Sequence, residues 1–251
     1  LIASACGSDW LAMVHTLRVI GPGRAGRSLA LALERAGWRV DGMLGRPHDV
    51  SHAAEAVDLL VLAVPDAAVP DVAAQVEPVG ATVVAHLAGS LGLDVLASHP
   101  RRASIHPLIA MPNPEVGAAR LASGAWFAVA GDPLAQRVVD ALGGRAIDVR
   151  DEHRAAYHAA AVIASNHLVA LLAQAERVAA TADVPLAAYL DLVLATVDNV
   201  ADLGPARALT GPAARGDNAT IERHVETLDP AERPLYLLLA EECRRLAGAG
   251  R

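Results

Sequence analysis

The residues with chemical potential fall into two groups. One is a glycine-rich hexapeptide, Gly21-Pro22-Gly23-Arg24-Ala25-Gly26; the other is a scatter of polar side chains, each placed just after an apolar run or within one. The hexapeptide follows the apolar residues 17–20 and precedes the amphipathic residues 28–33. That is the setting in which G-x-G-x-x-G cradles phosphate. Gly21 allows a tight turn, Gly23 lets the backbone approach a pyrophosphate, and Gly26 lets helix and strand pack closely. The free N–H groups of the helix that follows complete an anion site. Arg46 lies 20 residues beyond Gly26, where an NAD-selective fold places an acid for the ribose 2′-OH. A guanidinium there suits a 2′-phosphate through forked hydrogen bonds, so NADP(H) is expected over NAD(H). The bland alternative is a solvated surface arginine.

In the second group His106 follows a short strand pattern and precedes Pro107, which places it at a strand's carboxyl end. An imidazole can pass a proton to a carbonyl oxygen near neutral pH, or it can simply satisfy a loop hydrogen bond. His86-Leu87-Ala88-Gly89-Ser90 follows another strand. Ser90 could meet substrate or nicotinamide with Gly89 permitting close approach, or it could cap a helix. Asp66, after Val64-Pro65, reads chiefly as a cap. Tyr157-His158 and Ser165-Asn166-His167 interrupt a long Ala/Val/Leu helix; Asn166 is a substrate-orienting residue or a buried structural amide. Arg215, in the polar loop 210–217, could hold a carboxylate or phosphate, while Asp217 could pair with it or cap the next helix. No metal is expected.

The elements that must position these residues alternate strand and helix from residue 17 to about 149, with strands expected at 38–44, 58–64, 81–85, 102–105, 126–130 and 145–149. Continuous apolar strands separated by helices indicate a doubly wound parallel sheet, α/β in class, with helices on both faces. Ligands of such sheets bind beyond the strands' carboxyl ends, which makes Val64-Pro65-Asp66 and residues 86–90 expected pocket walls. After Arg150 the strands stop. Helices are expected over 154–182, 185–203, 218–228 and 230–246. The organisation is therefore a leader at 1–16, a dinucleotide-binding Rossmann domain at 17–150 and an all-α domain at 151–251. Met13 is the expected natural start with the earlier residues an artefact, an unusual processed terminus being the alternative.

Composition narrows the partners. The 251 residues are 53% hydrophobic and carry a net charge of −7 with no basic block, which argues against nucleic acid or an anionic membrane. No apolar run reads as long enough to span a bilayer. Cys6 and Cys243 show no redox or metal spacing, as expected of a cytoplasmic protein. Lysine is absent, so the chain supplies no lysine base or Schiff base.

The combination of the hexapeptide, His86 to Ser90, Ser104-Ile105-His106-Pro107-Leu108, residues 157–166 and residues 210–217 resembles a bacterial family that joins a Rossmann-like domain to a C-terminal helical domain of unknown function. That family is similar to pyrroline-5-carboxylate reductase, prephenate dehydrogenase, ketopantoate reductase and the 6-phosphogluconate dehydrogenase group. The resemblance implies a 6-phosphogluconate-dehydrogenase-like helical domain that makes a homodimer and closes over the nicotinamide. Gly21, Gly23, Gly26 and Arg46 match the relatives' NADP positions. The lysine found four residues before an asparagine in ketopantoate reductases is replaced here by Val162. The expectation is an NADPH-dependent reductase of a small anionic carbonyl or imine, ketopantoate among them, with His106 as proton donor, Asn166 orienting substrate and Arg215 binding its acidic group. The alternatives are a silent NADP(H) sensor and, less favoured, an S-adenosylmethionine or flavin site.

Overall fold

The computed structural model describes residues 14–249, so the expected leader up to Met13 lies outside them. The strands are β1 Thr16–Ile20, β2 Arg39–Leu44, β3 Leu59–Leu62, β4 Val83–His86, β5 Arg102–Pro107, β6 Trp126–Gly131 and β7 Arg145–Asp148. They form one sheet in the order β2-β1-β3-β4-β5-β6-β7. The flanking helices are α1 Arg24–Arg35, α2 Val69–Gln75, α3 Pro114–Leu121 and α4 Leu134–Ala141. Alternate residues of β3 show why both faces are covered. Leu59 and Val61 pack with Leu29, Leu33 and Phe127 on one side, whereas Leu60 and Leu62 pack with Val69, Val84 and Leu96 on the other.

The sheet departs from the expected all-parallel arrangement at one pairing, β5 with β6, which is antiparallel. The chain leaves β5 at its carboxyl end, runs through α3 and re-enters at that same end, where Leu108 N donates to Trp126 O at 2.8 Å. It never returns to the amino edge, so a parallel strand cannot follow.

The chain divides after Ile163 into two compact units. The helix that begins with α5 Arg154–Val162 thus contributes its first turns to the first unit. A π turn, Ile163–His167, spans the division and leads into α6 Leu168–Ala180, followed in the second unit by α7 Ala187–Leu203, α8 Pro205–Ala208, α9 Pro212–Arg215, α10 Asn218–Thr227 and α11 Arg233–Ala249. The region expected to be a polar loop at 210–217 therefore contains a helical turn, started by a proline at its first position.

One expectation about membranes is corrected. The segment Asp151–Ala180, with a mean hydropathy of 1.4, is long and apolar enough to cross a bilayer by length and composition. Its alanine-rich middle carries no charge between Arg154 and Glu176, which is why it passes. Its first turns nevertheless carry a fully buried arginine packed on β5, as a domain helix does.

Candidate functional site

At the carboxyl ends of β1, β2 and β3 a cavity of about 580 Å³ is lined by Gly21, Pro22, Gly23, Gly45, Arg46, His48, Val64 and Pro65, among others. Gly21 sits at φ +102°, and a Cβ there would lie 2.4 Å from the Ala63 carbonyl oxygen. A Cβ on Gly26 would lie 2.3 Å from the Gly21 carbonyl oxygen, so both glycines are required by the contact between turn, helix and β3. Gly23 is different: it begins α1 in an extended conformation with open space where a Cβ would stand. No side chain caps α1, and its first turn holds no acid. The N–H groups of Arg24, Ala25 and Gly26 are thus left for an external acceptor. Arg24 is exposed beside them, and Arg27 Nε donates to the Pro22 carbonyl at 2.7 Å.

Among the described residues no carboxylate lines this cavity. Arg46 is exposed on its wall without a hydrogen bond or ion pair among the described residues. Positive charge beside an uncapped helix N-terminus is unfavourable to the helix unless an anion sits there. The residues present therefore fit a diphosphate on the turn and a further phosphate near Arg46. His48, held to the Gly45 N–H at 3.0 Å through Nδ1, also lines the cavity and went unnoticed in the sequence.

The next strand ends continue this edge. Asp66 and Ser90 are not helix caps: Ser90 Oγ donates to Asp66 Oδ2 at 2.9 Å, tying the β3 and β4 ends together. His86 is fully buried rather than a pocket wall, with Nε2 donating to the Gly92 carbonyl at 3.1 Å. Burial pushes its pKa below the ordinary value, and the Arg154 guanidinium adds to this. The buried Gly89 is needed for close approach, but to two imidazoles: a Cβ there would lie 2.7 Å from His158 Cδ2 and 2.9 Å from His106 Nε2.

His106, half-buried near the end of β5, meets α5. Its Nδ1 lies 2.7 Å from the Tyr157 hydroxyl, and its ring stands edge-on to His158 at 5.9 Å between centroids. Burial pushes the His106 pKa down to about 4, helped by repulsion from His158, Arg154 and His86 and opposed by Asp66. Burial thus favours the neutral imidazole near pH 7. Beneath it Arg154 is wholly buried, donating through Nη1 to Ser104 Oγ at 2.8 Å and through Nε to Asp151 Oδ1 at 3.2 Å. Tyr157 and Arg154 are the contacts that sequence reasoning missed. The only available hint was polar residues at the start of an otherwise apolar helix.

In the second unit Asn166 lies in the π turn, exposed, its Oδ1 accepting from Ser165 Oγ at 2.9 Å. The reading of a buried structural amide is therefore set aside. Arg215 ends α9, exposed, its backbone N–H donating to the Gly211 carbonyl at 3.3 Å and its side chain without a hydrogen bond or ion pair among the described residues. Asp217 caps α10 by accepting from Thr220 N at 3.1 Å.

Residues 127–243 match the family model described as a domain of unknown function (DUF2520). No curated protein matches the chain. Among solved structures, a Bacteroides fragilis protein provisionally assigned as an NADP oxidoreductase superposes with a TM-score of 0.74 at 22% identity, covering 92% of this chain and 98% of that one. A Thermotoga maritima protein gives 0.70 at 24% identity, over 94% and 99% of the two chains. A reductive aminase from Aspergillus terreus, in complex with NADPH and ethyl levulinate, gives 0.66 at 17% identity over 95% of each. At these identities the likeness establishes a Rossmann-type fold followed by a helical region.

Proposed function

We propose that the protein is an NADPH-dependent oxidoreductase acting on a small, anionic carbonyl or imine substrate. The observation that carries this reading is the cavity built on an uncapped helix N-terminus, with Arg46 on its wall and no carboxylate. Gly21, Pro22, Gly23, Arg24, Ala25 and Gly26 would hold the diphosphate, and Arg46 the 2′-phosphate. Val64, Pro65, Gly89 and Ser90 would flank the path toward the nicotinamide. When bound, the reduced dinucleotide supplies a hydride. The strand order supports the rest: from β1 to β5 there are three steps of roughly 4.8 Å each, which sets His106 well along the same edge. His106 would give a proton to the substrate from Nε2, Asn166 would orient the substrate, and Arg215 would bind its acidic group.

A homodimer in the cytoplasm completes the proposal. Its support is α7, which has no buried residue along its 17-residue length, with Leu192 64% and Leu194 62% exposed. Apolar side chains in such numbers call for a cover, and a second copy is the cover we propose.

The test is a fluorescence titration with NADPH and NADH. NADPH binds at least ten-fold more tightly, as expected for one charge-assisted contact of about 1.5 kcal/mol or more. Arg46→Ala erases the preference without weakening NADH binding. Equal affinities in the wild type refute the Arg46 assignment. A panel of 2-oxo acids and cyclic imines, followed by NADPH oxidation, then identifies the substrate class.

A further inference from the structure

We infer that Tyr157 sets the tautomer of His106 and stands behind it as proton reservoir: the phenol O–H donates to Nδ1, which leaves Nε2 carrying the hydrogen that is handed on. This rests on the reading of His106 as proton donor and deepens it.

The geometry supplies each part. The Tyr157 oxygen lies 2.7 Å from Nδ1, and the two rings stand edge-on at 5.5 Å between centroids. The contact joins β5 to α5. Nε2 has no hydrogen-bond partner among the described residues, yet it is not sealed from solvent as the Nδ1 atoms of His86 and His99 are. The missing side chain at Gly89 keeps the space in front of it clear, since a Cβ would stand 2.9 Å away. One nitrogen is thus fixed by the protein, and the other faces the space kept clear at Gly89.

The chemistry requires such a partner. A neutral imidazole is a poor acid, and burial with a depressed pKa keeps His106 neutral. Used on its own, its Nε2 proton could leave only by creating an imidazolate. With Tyr157 behind it the balance closes. The Nε2 proton goes to the substrate atom that gains negative charge, and the phenol proton moves to Nδ1. The imidazole ends neutral in its other tautomer, and the charge rests on the phenolate. Solvent afterwards returns one proton to Nε2, and the Nδ1 proton goes back to the phenolate across the 2.7 Å contact, which restores the starting tautomer. Burial holds the Tyr157 pKa above its ordinary value, so the proton is present to give, while Arg154 nearby favours the phenolate. The other groups that act on His106 are His158 on α5, His86 on β4 and Asp66 after β3.

The experiment is ¹⁵N NMR of the imidazoles in the full chain between pH 4 and 9, with NADPH binding measured by fluorescence on the same samples. In the wild type His106 is expected to show a hydrogen on Nε2 and a bare, hydrogen-bonded Nδ1 through neutral pH. Tyr157→Phe keeps the ring but removes the O–H. It is expected to give a mixed tautomer and a titration midpoint moved up toward the ordinary value near 6.5, because a bond favouring the neutral form is gone. A wild-type His106 with its hydrogen on Nδ1 overturns the inference, as does an unchanged spectrum in Tyr157→Phe. If that variant fails to fold, the wild-type tautomer alone decides. NADPH binding with the wrong tautomer refutes the dyad and leaves the oxidoreductase reading standing. The right tautomer without NADPH binding does the reverse.

Discussion

Replacing Gly23 with aspartate should move stability and cofactor binding in opposite directions. Gly23 occupies the first capping position of α1 at φ −76° and ψ −172°, a conformation open to any residue, and a Cβ there meets nothing within 4 Å. Aspartate is a better N-cap than glycine by a few tenths of a kcal/mol, and its charge at the helix N-terminus adds about 0.3–1 kcal/mol. The neighbouring Arg24 and Arg27 gain a counter-ion as well. For a chain of this size the sum corresponds to a rise in Tm of roughly 1–4 °C. Binding responds the other way. A carboxylate about 4 Å from a diphosphate bearing two charges is repelled by about 1 kcal/mol per charge in water and more inside a cleft. The same carboxylate also takes the N–H groups that the phosphates would use. The loss is at least roughly thirty-fold in Kd for NADPH, and it shrinks as salt rises. Gly23→Ser, which caps without charge, should give the smaller loss. Thermal unfolding without nucleotide and a fluorescence titration with NADPH measure the two effects. A stabilised Gly23→Asp protein that binds NADPH within about threefold of wild type would refute the cradle.

Three further outcomes are expected. Gly89→Ala would place a Cβ 2.7 Å from His158 and 2.9 Å from His106. The rings must shift, at a cost of about 1–3 kcal/mol in urea unfolding and with a large loss of turnover; a neutral substitution would show that the loop yields instead. Stability should fall with acid between pH 6.5 and about 4, because unfolded His106 takes up its proton near 6.5 while the folded imidazole holds out to about 4. The unfolded state binds more protons in that window, so stability is complete above it and drops by on the order of 3 kcal/mol as the pH is lowered through it; His86 acts in the same direction. A flat denaturant midpoint from pH 7 to 4.5 would contradict this. Leu192→Glu with Leu194→Glu, both exposed on α7, should convert a dimer to monomer in sedimentation without unfolding it; a wild type that is monomeric at every concentration removes the dimer proposal.

Features set by local chemistry were legible in the sequence. The glycine turn was so because Gly21 and Gly26 are demanded by contacts within one β-turn-α unit and with the next strand. The strands were so because residues buried on both faces, such as Leu59 to Leu62, leave an uninterrupted apolar run. What stayed hidden depends on neighbours distant in the chain. Ser90 and Asp66 each look like helix caps by type, but they bond one another across 24 residues. The reversal of β6 follows from where α3 returns the chain, which no periodicity of β6 itself records. His106 and Tyr157 are 51 residues apart, and nothing at either position announces the other. Arg154 was invisible for a related reason. Arginine at a helix start reads as solvated, and Ser104 and Asp151 satisfy only part of its buried guanidinium, Nη2 being left without a partner.

The two ends of the candidate site use opposite electrostatic strategies along one edge of one sheet. At the carboxyl ends of β1 and β2 the backbone leaves N–H groups uncapped, arginines stand exposed and no described acid lines the cavity, so an anion there would be attracted from solvent and screened by it. Near β4 and β5 the ionisable groups are withdrawn from water. Burial favours the neutral forms of His86 and His106, and the buried Arg154 is tied to Ser104 and Asp151. Attraction of a highly charged ligand needs the first environment, because desolvating several phosphates would cost more than their contacts return. Proton movement between weak acids needs the second, where small displacements of charge are felt strongly. Ser90 and Asp66 bridge the two regions, so exchanging Asp66 for asparagine would test whether the bridge needs its charge or only its hydrogen bond.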